Sequence, residues 1–334
     1  MNIHANNRPL QMVSFIIPAM NEEETLETLF SGIANQMERL AYDWEVLFID
    51  DGSTDRSWSE MSRLARLHPG TVRSFRFRRN LGKADALALG YEQAAGDVVF
   101  TMDADLQDDP CEIPRFLEKL EEGFGIVTGW KRKRYDPWHK VLPSRVFNAV
   151  LSRLVGVPLH DHNCGFKAYR REVVKVLPMY GEMHRMVPSL ASFEGYQTAE
   201  IVVQHHARQF GVSKYGVKRI LCGIFDMTTV SFLKTYRNRP MHFFGRLAML
   251  SGGVAGLLWA TAIGLTVAGL AATVPAMAGV LFAIAAMLFV GQGLQLEHGV
   301  YREMKEAREL PVSQVVEAPA PTSHLDFDRA TRVA

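Results

Sequence analysis

Val98-Val99-Phe100-Thr101-Met102-Asp103-Ala104-Asp105-Leu106-Gln107-Asp108-Asp109-Pro110 reads as a strand that runs into an acidic loop. The apolar half has strand character, and Asp108-Asp109-Pro110 stops any regular structure. Asp103 and Asp105 are thereby delivered, one residue apart, to the end of a strand. Ala104 between them is small, so both carboxylates can turn toward one cation while the backbone comes close to a ligand. Hard oxygen ligands in that place suit magnesium or manganese holding a diphosphate, with Gln107 as a further oxygen ligand. The competing reading is a solvated acidic loop, since such loops commonly follow strands.

The flanking chain decides between them. Upstream, Met12 to Pro18 is a short apolar run ended by proline, as a buried parallel strand would be. Asn21 ahead of Glu22, Glu23 and Glu24 reads as the N-cap of a helix reaching Met37. Trp44 to Asp50 is a second strand, and Asp50 to Asp55 a turn in which Asp51 and Asp55 cap the next helix. Val72 to Phe77 reads as strand, Lys83 to Ala94 as helix and Asp97 to Met102 as strand. This alternation predicts an α/β fold: a Rossmann-like, mostly parallel sheet with helices on both faces and ligands beyond the C-terminal strand ends. Pro18, Asp50 and Asp103 fall at such ends. No G-x-G-x-x-G follows the first strand and no P-loop occurs, so a bound diphosphate must be held by metal and basic side chains.

Downstream, Gly125 to Trp130 is another strand, followed by Lys131-Arg132-Lys133-Arg134. Such a run is usually a solvated face or a membrane-surface patch, and here it sits at a strand end. Glu182 to Pro188 begins a helix, and Ile201 to Arg208 forms a last strand. Arg208 and Lys214 then lie on a Gly-bearing loop able to close over a phosphorylated ligand.

With 37 Lys and Arg against 36 Asp and Glu in 334 residues, the chain lacks the basic excess of a nucleic-acid binder, and no nucleic-acid partner is expected. Cys111, Cys164 and Cys222 are odd in number and widely spaced, which argues against a disulfide framework and for thiols in a reducing compartment. His160, His162, His205 and His206 have neither the spacing nor the acidic partners of a metal site and read as polar or core histidines. Met1 to Gln11 is polar, without the apolar segment of a signal peptide, so the N-terminal part is expected in the cytoplasm.

The last third changes character. Leu247 to Leu270 and Met277 to Leu294 carry no charge and are separated by a small turn, the pattern of a two-helix transmembrane hairpin. Lys234, Arg237, Arg239 and Arg246 precede it and Arg302, Lys305 and Arg308 follow, which places both ends in the cytoplasm. Residues 220–246 mix aromatic, aliphatic and cationic side chains, as interfacial amphipathic helices do. The expected division is a catalytic part over 1–219, interfacial helices over 220–246, a hairpin over 247–297, and a cytoplasmic helix with a flexible tail over 298–334.

Phe15 to Glu23, Phe48 to Asp55, Asn80-Leu81-Gly82-Lys83 and Met102 to Pro110 resemble, in order, the motifs of family-2 glycosyltransferases of the GT-A fold. The Asp103-Ala104-Asp105-Leu106-Gln107 form is similar to the dolichol-phosphate mannose synthase and bacterial polyprenyl-phosphate glycosyltransferase branch, and the likeness runs from about Met12 to Gly216. The resemblance implies that Pro18 and Glu22 line the nucleotide, Asp50 recognises the base, Asp103 and Ala104 contact the nucleotide-sugar, and Asp105 and Gln107 hold the metal. It implies further that Lys131, Arg208 and Lys214 meet the donor diphosphate and that Lys140, Ser144 and Arg145 lie near the acceptor phosphate. Asp161, ahead of a Gly-Phe strand, either faces the reacting sugar or acceptor or only organises its turn. Met20 stands where the family often has tyrosine, and Lys131 where it commonly has arginine, which keeps the charge and loses the bidentate fork. The segment Glu182 to Pro188 lacks the Q-x-x-R-W signature of processive synthases.

The expected activity is an inverting, metal-dependent transfer of one sugar from a nucleotide-sugar donor, UDP-linked, to a polyisoprenyl phosphate acceptor at the cytoplasmic face of a bacterial inner membrane. Two alternatives stand beside it: transfer to a lipid hydroxyl such as a diacylglycerol or ceramide, and a membrane-anchored nucleotide-sugar-binding scaffold without turnover. Self-association into a homo-oligomer is left open by the sequence.

Overall fold

The computed structural model describes residues 10–132, 138–177, 179, 181–206 and 218–306. Its strands are β1 (Met12–Ala19), β2 (Asp43–Asp50), β3 (Val72–Arg76), β4 (Val98–Thr101), β5 (Ile126–Trp130), β6 (Lys167–Arg170) and β7 (Thr198–Val202). The helices are α1 (Leu26–Met37), α2 (Ser57–Leu67), α3 (Lys83–Gln93), α4 (Ile113–Glu121), α5 (Trp138–Val155), α6 (Arg171–Val176), α7 (Val187–Phe193), α8 (Lys218–Tyr236), α9 (Pro240–Val267) and α10 (Thr273–Glu306). One sheet holds all the strands in the order β3-β2-β1-β4-β6-β5-β7. Every pair is parallel except those of β6, which runs against β4 and β5.

Side chains alternate across a strand, and here both faces are apolar. Phe15, Ile17, Val46, Phe48, Val98 and Phe100 pack with α1, α2 and α4 on one face. Ile16, Leu47, Ile49 and Val99 meet α3, α5, α6 and α7 on the other, and fully buried Val230 brings α8 into that second layer.

Several expectations shift. Asn21 is not the N-cap of α1: it takes a left-handed conformation, φ 58°, and its side chain accepts the Thr54 amide at 2.8 Å, tying the loop after β1 to the loop after β2. Asp55 does brace the start of α2, accepting Ser57 N at 2.9 Å. Asp51 instead accepts Leu81 N at 2.7 Å and Gly82 N at 3.1 Å, holding the loop that leads into α3. The last strand lies earlier than Ile201–Arg208, because β7 follows β5 in register from Thr198 opposite Ile126. The segment from Glu182 forms a short 3-10 turn, Met183–Arg185, before α7.

α9 and α10 are both long and apolar enough to cross a membrane. They pack as a hairpin in which Trp259 Nε1 donates to Ala276 O at 3.3 Å and Glu297 accepts the Met241 amide at 3.1 Å, filling one of the vacant donor positions at the start of α9. Their outward side chains, among them Met249, Leu257, Ile263, Leu281 and Met287, are exposed. α9 starts at Pro240, ahead of the uncharged stretch, and α10 runs on to Glu306. The expected tail lies outside the described residues.

Candidate active site

Because β4 and β5 run the same way and β6 opposes them, three chain segments meet at one edge: the loop after β4, the loop after β5 and the loop entering β6. Asp103 leaves β4 at that edge and forms an ion pair with Lys83 at the start of α3. The loop entering β6 lies against it so closely that a Cβ on Gly165 would sit 2.4 Å from Asp103 Oδ2. Thr101 Oγ1 donates to Gly165 O at 2.9 Å, and Lys167 Nζ donates to Cys164 O, so the loop is stitched to the strand that carries the carboxylates.

Asp105 is buried. Leu106 adopts a left-handed φ of 57°, at a cost of about 1–2 kcal/mol for an L-residue. That turn brings Gln107 N back to Asp105 Oδ1 at 3.2 Å. Gln107 also accepts His206 N at 2.9 Å through its carbonyl, and its side-chain amide donates to His206 O at 3.5 Å.

Asp108, which in the sequence only helps to end the strand, takes a place in the cluster. Its carboxylate is fully buried and lies 2.7 Å from Lys131 Nζ, which arrives from the end of β5. Lys167, also buried, completes the cluster from β6. Burial by itself would raise the Asp103 carboxyl, but Lys83, Lys131 and Lys167 outweigh it and hold the group well below the usual carboxylate range. Burial likewise opposes the Lys131 charge, and Asp108 with Asp103 overcomes it, raising the ammonium above its ordinary value. Lys167 has less compensation: burial, with the Lys83 charge, brings it down to about 8. Burial pushes the Cys164 thiol up to about 12, which leaves it an inert core group. In the Met183–Arg185 turn, burial and then the charges of Lys83, Arg185 and Lys167 lower His184 to about 2, so it is a neutral imidazole.

Asp161 is buried in the loop entering β6 and accepts Asn163 N at 3.2 Å. The structure thus gathers Asp103, Asp105, Gln107, Lys131 and Asp161 around one edge and adds Lys83, Asp108 and Lys167. Pro18 and Glu22 lie at and just beyond the end of β1, half-buried, with Glu22 N donating to Ser57 Oγ at 2.8 Å. Asp50 is fully buried at the end of β2, accepts Ser53 N at 2.8 Å and pairs with Arg76 Nε at 3.0 Å. Ala104 is buried. Ser144 and Arg145 lie on α5, half-buried and exposed respectively, as does the backbone of Lys140. Arg208 and Lys214 fall outside the described residues.

Tertiary structure also supplies acidic partners that the histidines lack in sequence. His160 Nδ1 is 2.7 Å from Glu200 and His206 Nε2 is 3.1 Å from Asp109. His162 is a core residue, its Nε2 2.8 Å from Ser152 Oγ. Among the described residues no three His, Cys, Asp or Glu side chains converge as a metal cage. A magnesium-type site needs no such cage, because one or two carboxylates with substrate phosphates and water complete the shell. Asp105 and the Gln107 amide oxygen fit that pattern, since the Gln107 amide nitrogen is turned to His206 O.

Residues 14–177 match the family model described as glycosyl transferase family 2. The dodecaprenyl-phosphate galacturonate synthase of Rhizobium johnstonii is 35% identical over 262 residues, covering 77% of this chain and 78% of that protein. The undecaprenyl-phosphate 4-deoxy-4-formamido-L-arabinose transferase of Edwardsiella ictaluri is 33% identical over 318 residues, 94% of this chain and 97% of that one. Among solved structures, glucosyl-3-phosphoglycerate synthase from Mycobacterium tuberculosis, in complex with Mn2+, UDP and glucosyl-3-phosphoglycerate, superimposes with a TM-score of 0.53 at 20% identity over 67% of this chain and 80% of that one, a likeness of fold. The ordered motifs, the sheet that carries them and identity sustained across almost the whole of a relative lead to one conclusion: this chain belongs to glycosyl transferase family 2.

Proposed function

We propose that the protein transfers one sugar, with inversion, from a UDP-sugar to the phosphate of a polyisoprenyl carrier at the cytoplasmic face of a membrane. The observation that carries this reading is the presence on one chain of a buried carboxylate–lysine edge and an apolar hairpin, in a sequence whose relatives at 33% and 35% identity are polyprenyl-phosphate enzymes. A phosphate acceptor is anionic at neutral pH and can attack the anomeric carbon without a strong base. Lys83 holds Asp103 ionised and oriented at the edge where the sugar would lie, and Asp161 faces the sugar from the opposite loop. Lys131, fixed by Asp108, contributes positive charge beside the leaving diphosphate. Asp105 and Gln107 would hold a divalent cation, Mg or Mn, whose Lewis acidity stabilises the leaving group when bound. Arg208 and Lys214 complete the phosphate contacts, and Pro18, Glu22 and Asp50 line the nucleotide.

The membrane orientation has support beyond the hairpin. Leu142, Val146, Val150 and Leu154 recur every fourth residue along α5 and are exposed, as are Ile224 and Phe225 on α8. A stripe of that spacing on one helix face suits an interface between headgroups and acyl chains. α8 links α5 to the hairpin: its Lys234 Nζ donates to Leu154 O at 3.1 Å, and its Phe232 meets Phe243 and Phe244 of α9 edge-on. In this reading residues 1–219 are the cytoplasmic catalytic part, 220–246 lie at the interface, 247–297 cross the membrane and 298–334 return to the cytoplasm.

The test is product analysis with purified full-length protein, a panel of UDP-sugars, manganese or magnesium and polyprenyl phosphate. A mild-acid-labile glycosyl phosphate is expected. An acid-stable glycoside, formed on a lipid hydroxyl instead, would overturn the assignment.

A further inference from the structure

Glu200 lies on edge strand β7, in register with Thr128 of β5, and its side chain is only 10% exposed. Among the described residues no lysine or arginine pairs with it; three N–H groups of the loop that leaves α5 donate to it. Glu200 Oε1 accepts His160 N at 2.9 Å and Asp161 N at 2.9 Å, and Oε2 lies 2.7 Å from His160 Nδ1. The imidazole so held stacks on Trp130, ring centroids 3.9 Å apart and planes within 13°, immediately before Lys131 in the chain. One carboxylate therefore grips two successive peptides on one lip of the site and, through the His160 ring, touches the other.

Neither the sheet nor the core needs a carboxylate here. Burying one costs several kcal/mol unless hydrogen bonds repay it, and among the described residues the bonds that repay it go to His160 and Asp161. Two consecutive amides held by one oxygen restrict backbone rotation about His160, so the direction in which Asp161 leaves the backbone is steered from β7. Asp161 is the group that the proposed function turns toward the sugar.

We propose that Glu200 is a positioning residue for sugar transfer, acting by clamping the His160–Asp161 peptide and so aiming the Asp161 carboxylate. This rests on the function proposed above. The two oxygens divide the work in a way that substitution can separate: Glu200→Gln keeps one acceptor oxygen for both amides, whereas Glu200→Ala removes all of it.

The experiment uses the full chain in lipid nanodiscs, with three readouts: hydrogen exchange by mass spectrometry, UDP binding in the presence of Mn2+, and turnover with whichever UDP-sugar of the panel the wild type accepts. In Glu200→Ala, amides at 159–163 should exchange at least about tenfold faster while β5 and β7 keep their protection. Turnover should fall at least about tenfold through kcat, with UDP affinity within about twofold of wild type. Glu200→Gln should restore most of both. Asp161→Asn added to Glu200→Ala should cost less than about threefold more, because the two residues act as one unit. Full turnover in Glu200→Ala, losses that multiply in the double variant, or deprotection spreading through β5 and β7 together with loss of UDP binding would each overturn the proposal. If the wild type accepts no donor in the panel, the proposed function fails and exchange alone decides: deprotection confined to 159–163 keeps the clamp, and unchanged protection overturns it.

Discussion

Lys131 Nζ lies 2.7 Å from Asp108 Oδ1, joining the end of β5 to the acidic loop after β4 through a carboxylate with no exposure to solvent. Removing one partner of such a pair strands a buried charge, which costs about 3–5 kcal/mol, whereas replacing both by apolar groups costs far less. Asp108→Asn should therefore lower the thermal transition of the full chain in detergent steeply. Asp108→Leu combined with Lys131→Met should recover most of that stability while transfer stays low. Equal stability of Asp108→Asn and wild type would show that the pair is not held as a buried unit.

Gly165→Ala should damage transfer more than it damages the fold. The added Cβ would lie 2.4 Å from Asp103 Oδ2 and 2.8 Å from its Cγ, so the carboxylate must move. A shift of about 1 Å at a reacting centre costs on the order of a hundredfold in rate. Overpacking of this kind costs about 1–3 kcal/mol. Steady-state turnover beside a melting curve checks both, and a variant with wild-type kcat would show that Asp103 does not need its present place.

Asp105→Asn should abolish transfer and leave the fold intact, since it removes the charge of a proposed cation ligand without changing its size. The asparagine oxygen can still accept Gln107 N, so the turn at Leu106 should persist. Several kcal/mol of transition-state stabilisation are at stake. The measurement is turnover across a magnesium or manganese titration, and wild-type rates would remove Asp105 from the site.

Stability should depend on His162 between about pH 4 and pH 6.5. Burial, reinforced by the Lys167 charge, lowers the imidazole to about 4 in the folded protein. Its unfolded value is about 6.5. The unfolded chain binds the extra proton in that window, so stability rises with pH up to about 6.5 and is flat with respect to this group above it. The full effect is about 3 kcal/mol, lost progressively on acidification. Thermal transitions from pH 4 to 8 in wild type and His162→Gln should converge at low pH, and parallel curves would contradict the assignment.

Truncation after Arg239 should spare nucleotide binding. α8 stays attached without the hairpin, through buried Val230, the bond from Lys234 to Leu154 O and the ion pair between Arg237 and Glu194. Transfer to a long-chain carrier in membranes should fall steeply, because the local concentration of lipid acceptor is lost. Transfer to a short water-soluble carrier should fall much less. Equal loss with both acceptors in a folded truncation would mean that the hairpin shapes the catalytic site.

The alternation of apolar runs with helical segments, the strand that delivers Asp103 and Asp105, and the two uncharged stretches near the C-terminus are legible in the sequence, because each is a local pattern with its own period. What joins them is not local. Lys83 meets Asp103, Asp108 meets Lys131, Asp51 meets the loop before α3 and Glu200 meets His160, each across 20 to 40 residues of chain. No spacing rule predicts those meetings. They follow from the strand order, above all from β6 entering antiparallel between β4 and β5, which lays the Asp161–Gly165 loop against Asp103. A carboxylate in sequence is a charge without a neighbour; the sheet decides which lysine or amide it faces, and the low-polarity surroundings make that choice strong.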